Sequence, residues 1–249
     1  MPRMNQMKIS DLTSPIVYHE RLVVFFDVLG WKSHVMDAGS DPVKVGQLAL
    51  IPRLLKSSKV LQAAGSGEAQ ITSFSDCCVI SLPYNSEELA QVIYGLSNVF
   101  VGAAISGFLL RAGVTIGKIH HQDGIVFGPA LNIAHGLESS GVYPRVILDP
   151  SLPEVKDLNL IEGMLGEDEY GLYVDPYTLP FVKSDHLVKD SIPAGTFMGI
   201  PTNKAVEIYT SLLLRLESLL EKADGEKPKK QVNWLYARVR QQHKTILGG

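Results

Sequence analysis

Two aspartates stand where this sequence could do chemistry. Asp27 closes the apolar run Leu22-Val23-Val24-Phe25-Phe26, and Asp76 lies at the joint between two strand-like runs, Ala69–Phe74 and Cys77–Leu82. A carboxylate at the end of such a run is costly to bury. It needs a hydrogen-bond network, a raised pKa or a cation. If the strands at 22–27 and 69–82 are neighbours, the two carboxylates converge. Two aspartates and a backbone carbonyl would then form a hard oxygen site suited to Mg²⁺ or Mn²⁺. The other reading is that each aspartate only caps a turn or a helix, and spacing alone leaves both open.

The elements that must hold these acids can be traced along the chain. The run at 22–26 has the pattern of a strand covered on both faces. Asp41-Pro42 reads as a helix start, with Asp as N-cap and Pro at the first helical position. That helix is expected to reach about Ala64, before Gly65-Ser66-Gly67. The two runs around Ser75-Asp76 predict a tight hairpin. Asn85 followed by Glu88 resembles a capping box and opens a helix to about Ser106. Leu109–Ile116 reads as a strand that carries Arg111 and ends at Gly117, followed by a polar turn over His120–Gly124. Pro129–Ser139 reads as a helix and Val146-Ile147-Leu148 as a short strand. Residues 150–200 mix Pro, Gly and charge and signal little. Thr202–Lys222 and Pro228–Lys244 read as long helices on either side of Asp224-Gly225. This order predicts an α+β fold, a mixed sheet with helices on one face. The expected organisation is an N-terminal arm at 1–18, a core at 19–150, and a C-terminal extension of the same domain at 151–249.

Composition narrows the function classes. The chain has 249 residues, 45% apolar and 20% charged, the balance of one globular domain with additions. With 23 Lys and Arg against 26 Asp and Glu, the net charge of −3 exerts no general pull on a nucleic acid polymer. Cys77 and Cys78 are the only cysteines and are adjacent. Strand neighbours point to opposite faces, so no disulfide is expected, and a reducing, cytoplasmic setting fits. Residues 1–20 hold no apolar leader core, and the longest apolar stretch, Val99–Leu110, is too short to span a bilayer. No glycine-rich phosphate loop is present. His120 and His121, with Asp123 nearby, read as a solvated hairpin because adjacent strand histidines diverge. Lys227, Lys229 and Lys230 read as an exposed basic turn.

Four blocks resemble class III nucleotidyl cyclases, in that family's order and over about residues 20–150. Phe25-Phe26-Asp27-Val28-Leu29-Gly30-Trp31 looks like the first metal-binding motif. Ser73-Phe74-Ser75-Asp76-Cys77-Cys78-Val79-Ile80 looks like the second. Leu110-Arg111-Ala112-Gly113-Val114-Thr115-Ile116-Gly117 resembles the strand that follows. Phe127-Gly128-Pro129-Ala130-Leu131-Asn132-Ile133-Ala134-His135-Gly136-Leu137-Glu138 resembles the family's asparagine-bearing helix.

The resemblance implies a ferredoxin-like cyclase fold and a head-to-tail homodimer with its sites at the interface. It implies two divalent cations, Mn²⁺ or Mg²⁺, held by Asp27, Asp76 and the Val28 carbonyl, with Asn132 near the ribose or the transition state. The reaction would be attack of the ribose 3′-oxygen on the α-phosphate. Two departures shape the substrate. Adenylyl cyclases carry Lys, and guanylyl cyclases Glu, where this chain has Thr72. The partner position, Asp or Cys in those enzymes, is Ile125. Neither purine-reading pair is present. The family's transition-state arginine position is Gly136, so Arg145 is the candidate replacement, with Arg111 as runner-up. The blocks look most like the pyrimidine cyclases of bacterial Pycsar anti-phage systems. The expected substrate is then UTP, with CTP as the alternative, and the cyclic product would act on a separate effector. A purine cyclase with relaxed base reading, or a degenerate nucleotide-binding domain, are the competing expectations.

Overall fold

A computed structural model describes residues 15–57, 68–84, 86–152, 162–178, 181–182 and 200–248. Strand β1 (His19–Val28) is flanked on both sides and buried from Leu22 to Phe26, as its continuous apolar run requires. Gly30, at φ 73°, turns the chain into α1 (Trp31–Ala38). Asp41 then accepts hydrogen bonds from the Val43 and Lys44 N–H groups and caps α2 (Pro42–Leu48), with Pro42 in the first turn. The single helix expected from this cap is interrupted at Ala49 and resumes as α3 (Leu50–Ser57). The remainder expected up to Ala64, and Gly65-Ser66-Gly67, lie outside the described residues.

Strands β2 (Gln70–Phe74) and β3 (Cys77–Pro83) form the expected hairpin across Ser75-Asp76. Helix α4 (Ser86–Ile105) follows; Asn85 of the expected capping box lies outside the described residues. Strand β4 (Leu110–Gln122) does not stop at Gly117. It continues to a turn at Asp123-Gly124, where both residues have positive φ, and pairs back with β5 (Ile125–Phe127). His120 and His121 are therefore strand residues, because β5 supplies the backbone partners that extend the ladder. Helix α5 (Pro129–Ser140) and β6 (Val146–Leu148) match expectation closely. The weakly patterned region contains β7 (Leu165–Asp168), β8 (Gly171–Val174), and the two-residue strands β9 (Phe181–Val182) and β10 (Ile200–Pro201). Long helices α6 (Thr202–Lys222) and α7 (Glu226–Gly248) complete the chain.

The main sheet is mixed, in the order β2-β3-β1-β4-β6-β8-β7, with β5 attached to β4. Only β4 and β6 run parallel within it. Side chains alternate along β1. Leu22, Val24, Phe26 and Val28 enter a large core shared with α3, α4, α6 and α7. Val23 and Phe25 enter a smaller core with Ala130 and Ala134 of α5. The sheet is thus not covered on one face alone, as expected, because α5 lies against the other. Gly113 makes that possible. A Cβ there would stand 2.2 Å from the Ala134 carbonyl oxygen and 2.8 Å from the Glu138 nitrogen. Among the described residues, no helix is long and apolar enough to cross a membrane.

Candidate functional site

Register builds the site. Asp27 pairs with Cys77 on one side and with Arg111 on the other, so the three side chains form one row across β3, β1 and β4. Asp76 joins them from the hairpin turn. Ser75 holds the left-handed conformation at φ 54°, and the Val28 N–H donates to the Asp76 carbonyl at 3.1 Å. That hydrogen bond ties the turn to the end of β1. One ligand atom each from Asp27, Asp76 and Cys77 lie within 4.8 Å of one another. The thiol of Cys77 donates weakly to both carboxylates, with Sγ 3.9 Å from Asp27 and 3.8 Å from Asp76.

The electrostatics are unbalanced. Asp27 is pushed up to about 6, first by burial, then by Glu138 and Asp76, against a smaller opposing pull from Arg111. Arg111 is mainly committed elsewhere. It forms an ion pair with Glu138, gives Nη1 to the Gly141 carbonyl, and reaches Asp27 only at 3.9 Å. Glu138 and Asp27 therefore share one guanidinium, and Asp76 adds a third acid beside Asp27. The same acids, with burial as the leading cause, raise the Cys77 thiol to about 12. A cluster with surplus negative charge and convergent oxygen donors fits a divalent cation.

Thr72 lies on the same face, in the row of Val79, Phe25 and Gly113, next along the sheet from the acid row. Its hydroxyl is within 2.9 Å of His121 Nε2. Ile125 on β5 and Asn132 on α5 are exposed, and neither makes a hydrogen bond or ion pair with the acids in this single chain, among the described residues.

Arg145 is not at the site. It is fully buried and holds Asp168 through two hydrogen bonds, of 2.6 and 2.8 Å. Its guanidinium sits 3.9 Å from the Tyr173 ring centre, within reach of Tyr143, Tyr170 and Trp234. A cation sealed and neutralised in this way is not offered to a phosphate, which corrects the expectation that it replaces the arginine missing at Gly136. Arg111, the runner-up, adjoins the acids but is braced by Glu138. Lys227, Lys229 and Lys230 are exposed at the start of α7.

Three site residues escape a reading of the sequence: Cys77, Glu138 and His121. Glu138 had a signal. It continues the i, i+4 series Ala130, Ala134 that turns one stripe of α5 to the sheet. His121 is buried rather than solvated, hydrogen-bonded through Nδ1 to Ser81 and through Nε2 to Thr72.

By sequence, the chain matches no family model and no curated protein. By structure it is similar to a bacterial light-regulated adenylyl cyclase, with a TM-score of 0.47 and 16% identity over 66% of this chain and 54% of that one. It is also similar to the adenylyl cyclase CyaB from P. aeruginosa, with a TM-score of 0.45 and 12% identity over 64% of this chain and 94% of that one. An adenylate/guanylate cyclase/hydrolase from Silicibacter pomeroyi aligns with a TM-score of 0.44 and 16% identity, over 60% of this chain and 86% of that one. The chain spans about half the length of the light-regulated cyclase. What it does has to be read from its own residues.

Proposed function

We propose that this chain is a nucleotidyl cyclase that converts a pyrimidine nucleoside triphosphate, UTP before CTP, to its 3′,5′-cyclic monophosphate and pyrophosphate. The observation that carries this reading is the meeting of Asp27 and Asp76 within one ligand shell at the end of β1. Asp27, Asp76 and the Val28 carbonyl are the groups that would hold Mn²⁺ or Mg²⁺. The Cys77 thiol beside them, held protonated by burial and by the acids, is a neighbour of that oxygen site rather than a ligand in it. A bound divalent cation supplies charge that eases ionisation of the ribose 3′-hydroxyl and screens the phosphates. The 3′-oxygen attacks the α-phosphorus in line, the bond to the bridging oxygen breaks, and pyrophosphate leaves. Arg111, braced by Glu138, stands 3.9 Å from Asp27 and offsets part of the charge there. Thr72 and Ile125 replace the charged or sulfur-bearing pairs that read purines.

The site is completed by a second copy of the chain. Ile125 and Asn132 are exposed in one copy, beside exposed Tyr18 and Phe127, which pack edge to face at 5.8 Å. The partner's equivalents of Thr72, Ile125 and Asn132 would face the nucleotide held at Asp27 and Asp76. The cyclic product would serve as a second messenger in anti-phage defence by acting on a separate effector. The burial of Arg145 favours a second reading, a domain that binds nucleotide without turning it over. Incubation with each of the four ribonucleoside triphosphates and Mn²⁺, with products identified by mass, tests both. Cyclic UMP as the main product supports the first, and nucleotide binding with no cyclic product supports the second.

A further inference from the structure

A histidine that the reaction does not use lies beside the base-reading position. His121 sits between two hydroxyls, with Ser81 Oγ 2.9 Å from Nδ1 and Thr72 Oγ1 2.9 Å from Nε2. Arg21 anchors the far end. Its Nε donates to Ser81 Oγ at 3.0 Å, and its Nη2 donates to the carbonyls of Ser81 and Glu68.

The direction of every proton in this chain follows from the Arg21 end. A guanidinium can only donate, so Ser81 Oγ accepts from it. Ser81 is fully buried, and a buried hydroxyl proton without an acceptor is costly. The acceptor beside it is His121 Nδ1. The ring is neutral, with its pKa lowered to about 4 by burial, then by Arg21 and His120. With Nδ1 accepting, the ring proton is on Nε2 and is donated to Thr72 Oγ1. Thr72 has then received its hydrogen bond from behind, and its own O–H is free to donate forward. Thr72 is half-buried, on the sheet face that carries Asp27.

We infer that the Arg21–Ser81–His121 relay fixes Thr72 as a hydrogen-bond donor, and so selects a base with a carbonyl rather than an amino group at the edge it meets. Among pyrimidines this is uracil over cytosine, which differ at the 4-position in that way. The inference rests on the cyclase reading above, and it makes His121 and Ser81 positioning residues that act through Thr72.

Two measurements test it. The first is the ratio of kcat/KM for UTP over CTP, with cyclic products quantified. The native chain should favour UTP by at least about tenfold, the size of one satisfied against one frustrated hydrogen bond. Thr72→Val, which keeps the shape and removes the hydroxyl, and Ser81→Ala, which releases the ring to either tautomer, should each bring the ratio to within about threefold of unity. Thr72→Ser should keep the native ratio. The second is ¹⁵N NMR of histidine-labelled protein, with the His121 signals assigned by their loss in His121→Asn. It should show Nε2 protonated and Nδ1 unprotonated, and Ser81→Ala should disturb that pattern. Cyclic product with an unchanged ratio in Thr72→Val, or a proton found on Nδ1, overturns the relay and leaves the cyclase reading standing. No cyclic product from any triphosphate overturns both, and the NMR pattern then describes only packing.

Discussion

Arg111 and Arg145 precede paired residues, Ala112 and Val146, on adjacent parallel strands, yet they end in opposite circumstances. Around Arg145 the charges close. One guanidinium meets one carboxylate, Asp168, in a bidentate pair walled by aromatic rings. Around Arg111 they do not close. One guanidinium serves Glu138 and, at longer range, Asp27, while Asp76 adds a third acid. The first region is neutralised by the chain itself, so that removing Asp168 would strand a buried charge. The second is left short of positive charge, the imbalance that the proposed cation would correct.

The largest effect expected is at the open region. Asp27→Asn or Asp76→Asn should lower cyclic nucleotide formation by about a thousandfold or more, as loss of one charged group in a phosphoryl-transfer site does. Stability should move the other way. The Asp27 carboxyl titrates at about 6 in the folded chain, above its ordinary range, so the folded state holds that proton more tightly than the unfolded state. The stabilisation this gives is complete at low pH and is lost as the pH rises through about 6. Asp27→Asn should therefore stabilise the cation-free protein at pH 7, on the order of 2 kcal/mol, measured by urea denaturation in chelator. An inactive but less stable Asp27→Asn would mean that the acid is held by structure rather than kept for a ligand.

Arg145→Ala should invert that pattern. Removing one partner strands Asp168 and opens space among Tyr143, Tyr173 and Trp234, a loss of about 3 kcal/mol. Turnover per folded molecule should stay within a few-fold of the parent. Collapse of turnover with an unmoved denaturation midpoint would return Arg145 to the reaction.

Gly113→Ala sharpens the comparison from the scaffold side. The added methyl would meet backbone of α5, not a yielding side chain, so the helix carrying Asn132 and Glu138 must shift. About 2 kcal/mol of stability should be lost. Arg111 should loosen with Glu138, and turnover should fall more than stability alone explains. Gly117→Ala meets Ala130 alone, its methyl at 3.3 Å and its Cα at 3.9 Å, and should do less. Equal effects from the two would mean that α5 is not held by close approach at Gly113.

What could be read from the sequence divides along the same line. The apolar run before Asp27, the hairpin around Asp76 and the stripe of α5 are local patterns, and periodicity and turn chemistry report them directly. The fate of Arg145 depends on Asp168, at the end of a four-residue strand in a stretch with no clear pattern, so no local signal reports the pairing. His121 departs from its sequence pattern for a related reason. Adjacent strand histidines do diverge, but β5 carries β4 past Gly117, so one of the pair turns inward. The covering of the second face by α5 depends on what Gly113 lacks, a feature that acts only once two distant segments meet.

The smallest effect expected is at Gly136, and it probes the open region by addition. A Cβ there meets nothing within 4 Å, and the position is exposed in the middle of α5. Glycine in a helix interior costs about 1 kcal/mol relative to a good helix former, and arginine is one. Gly136→Arg should therefore raise stability by about 0.5 to 1 kcal/mol in urea denaturation. It also places a cation one helical turn beyond Asn132, on the exposed side of α5 that would face the partner's acids. If the open region is short of positive charge when the triphosphate is bound, turnover should rise a few-fold while the KM for the base partner of choice stays level. A stabilised variant with unchanged turnover would place the shortfall on the acids' side of the cleft, where Arg111 is the cation at hand.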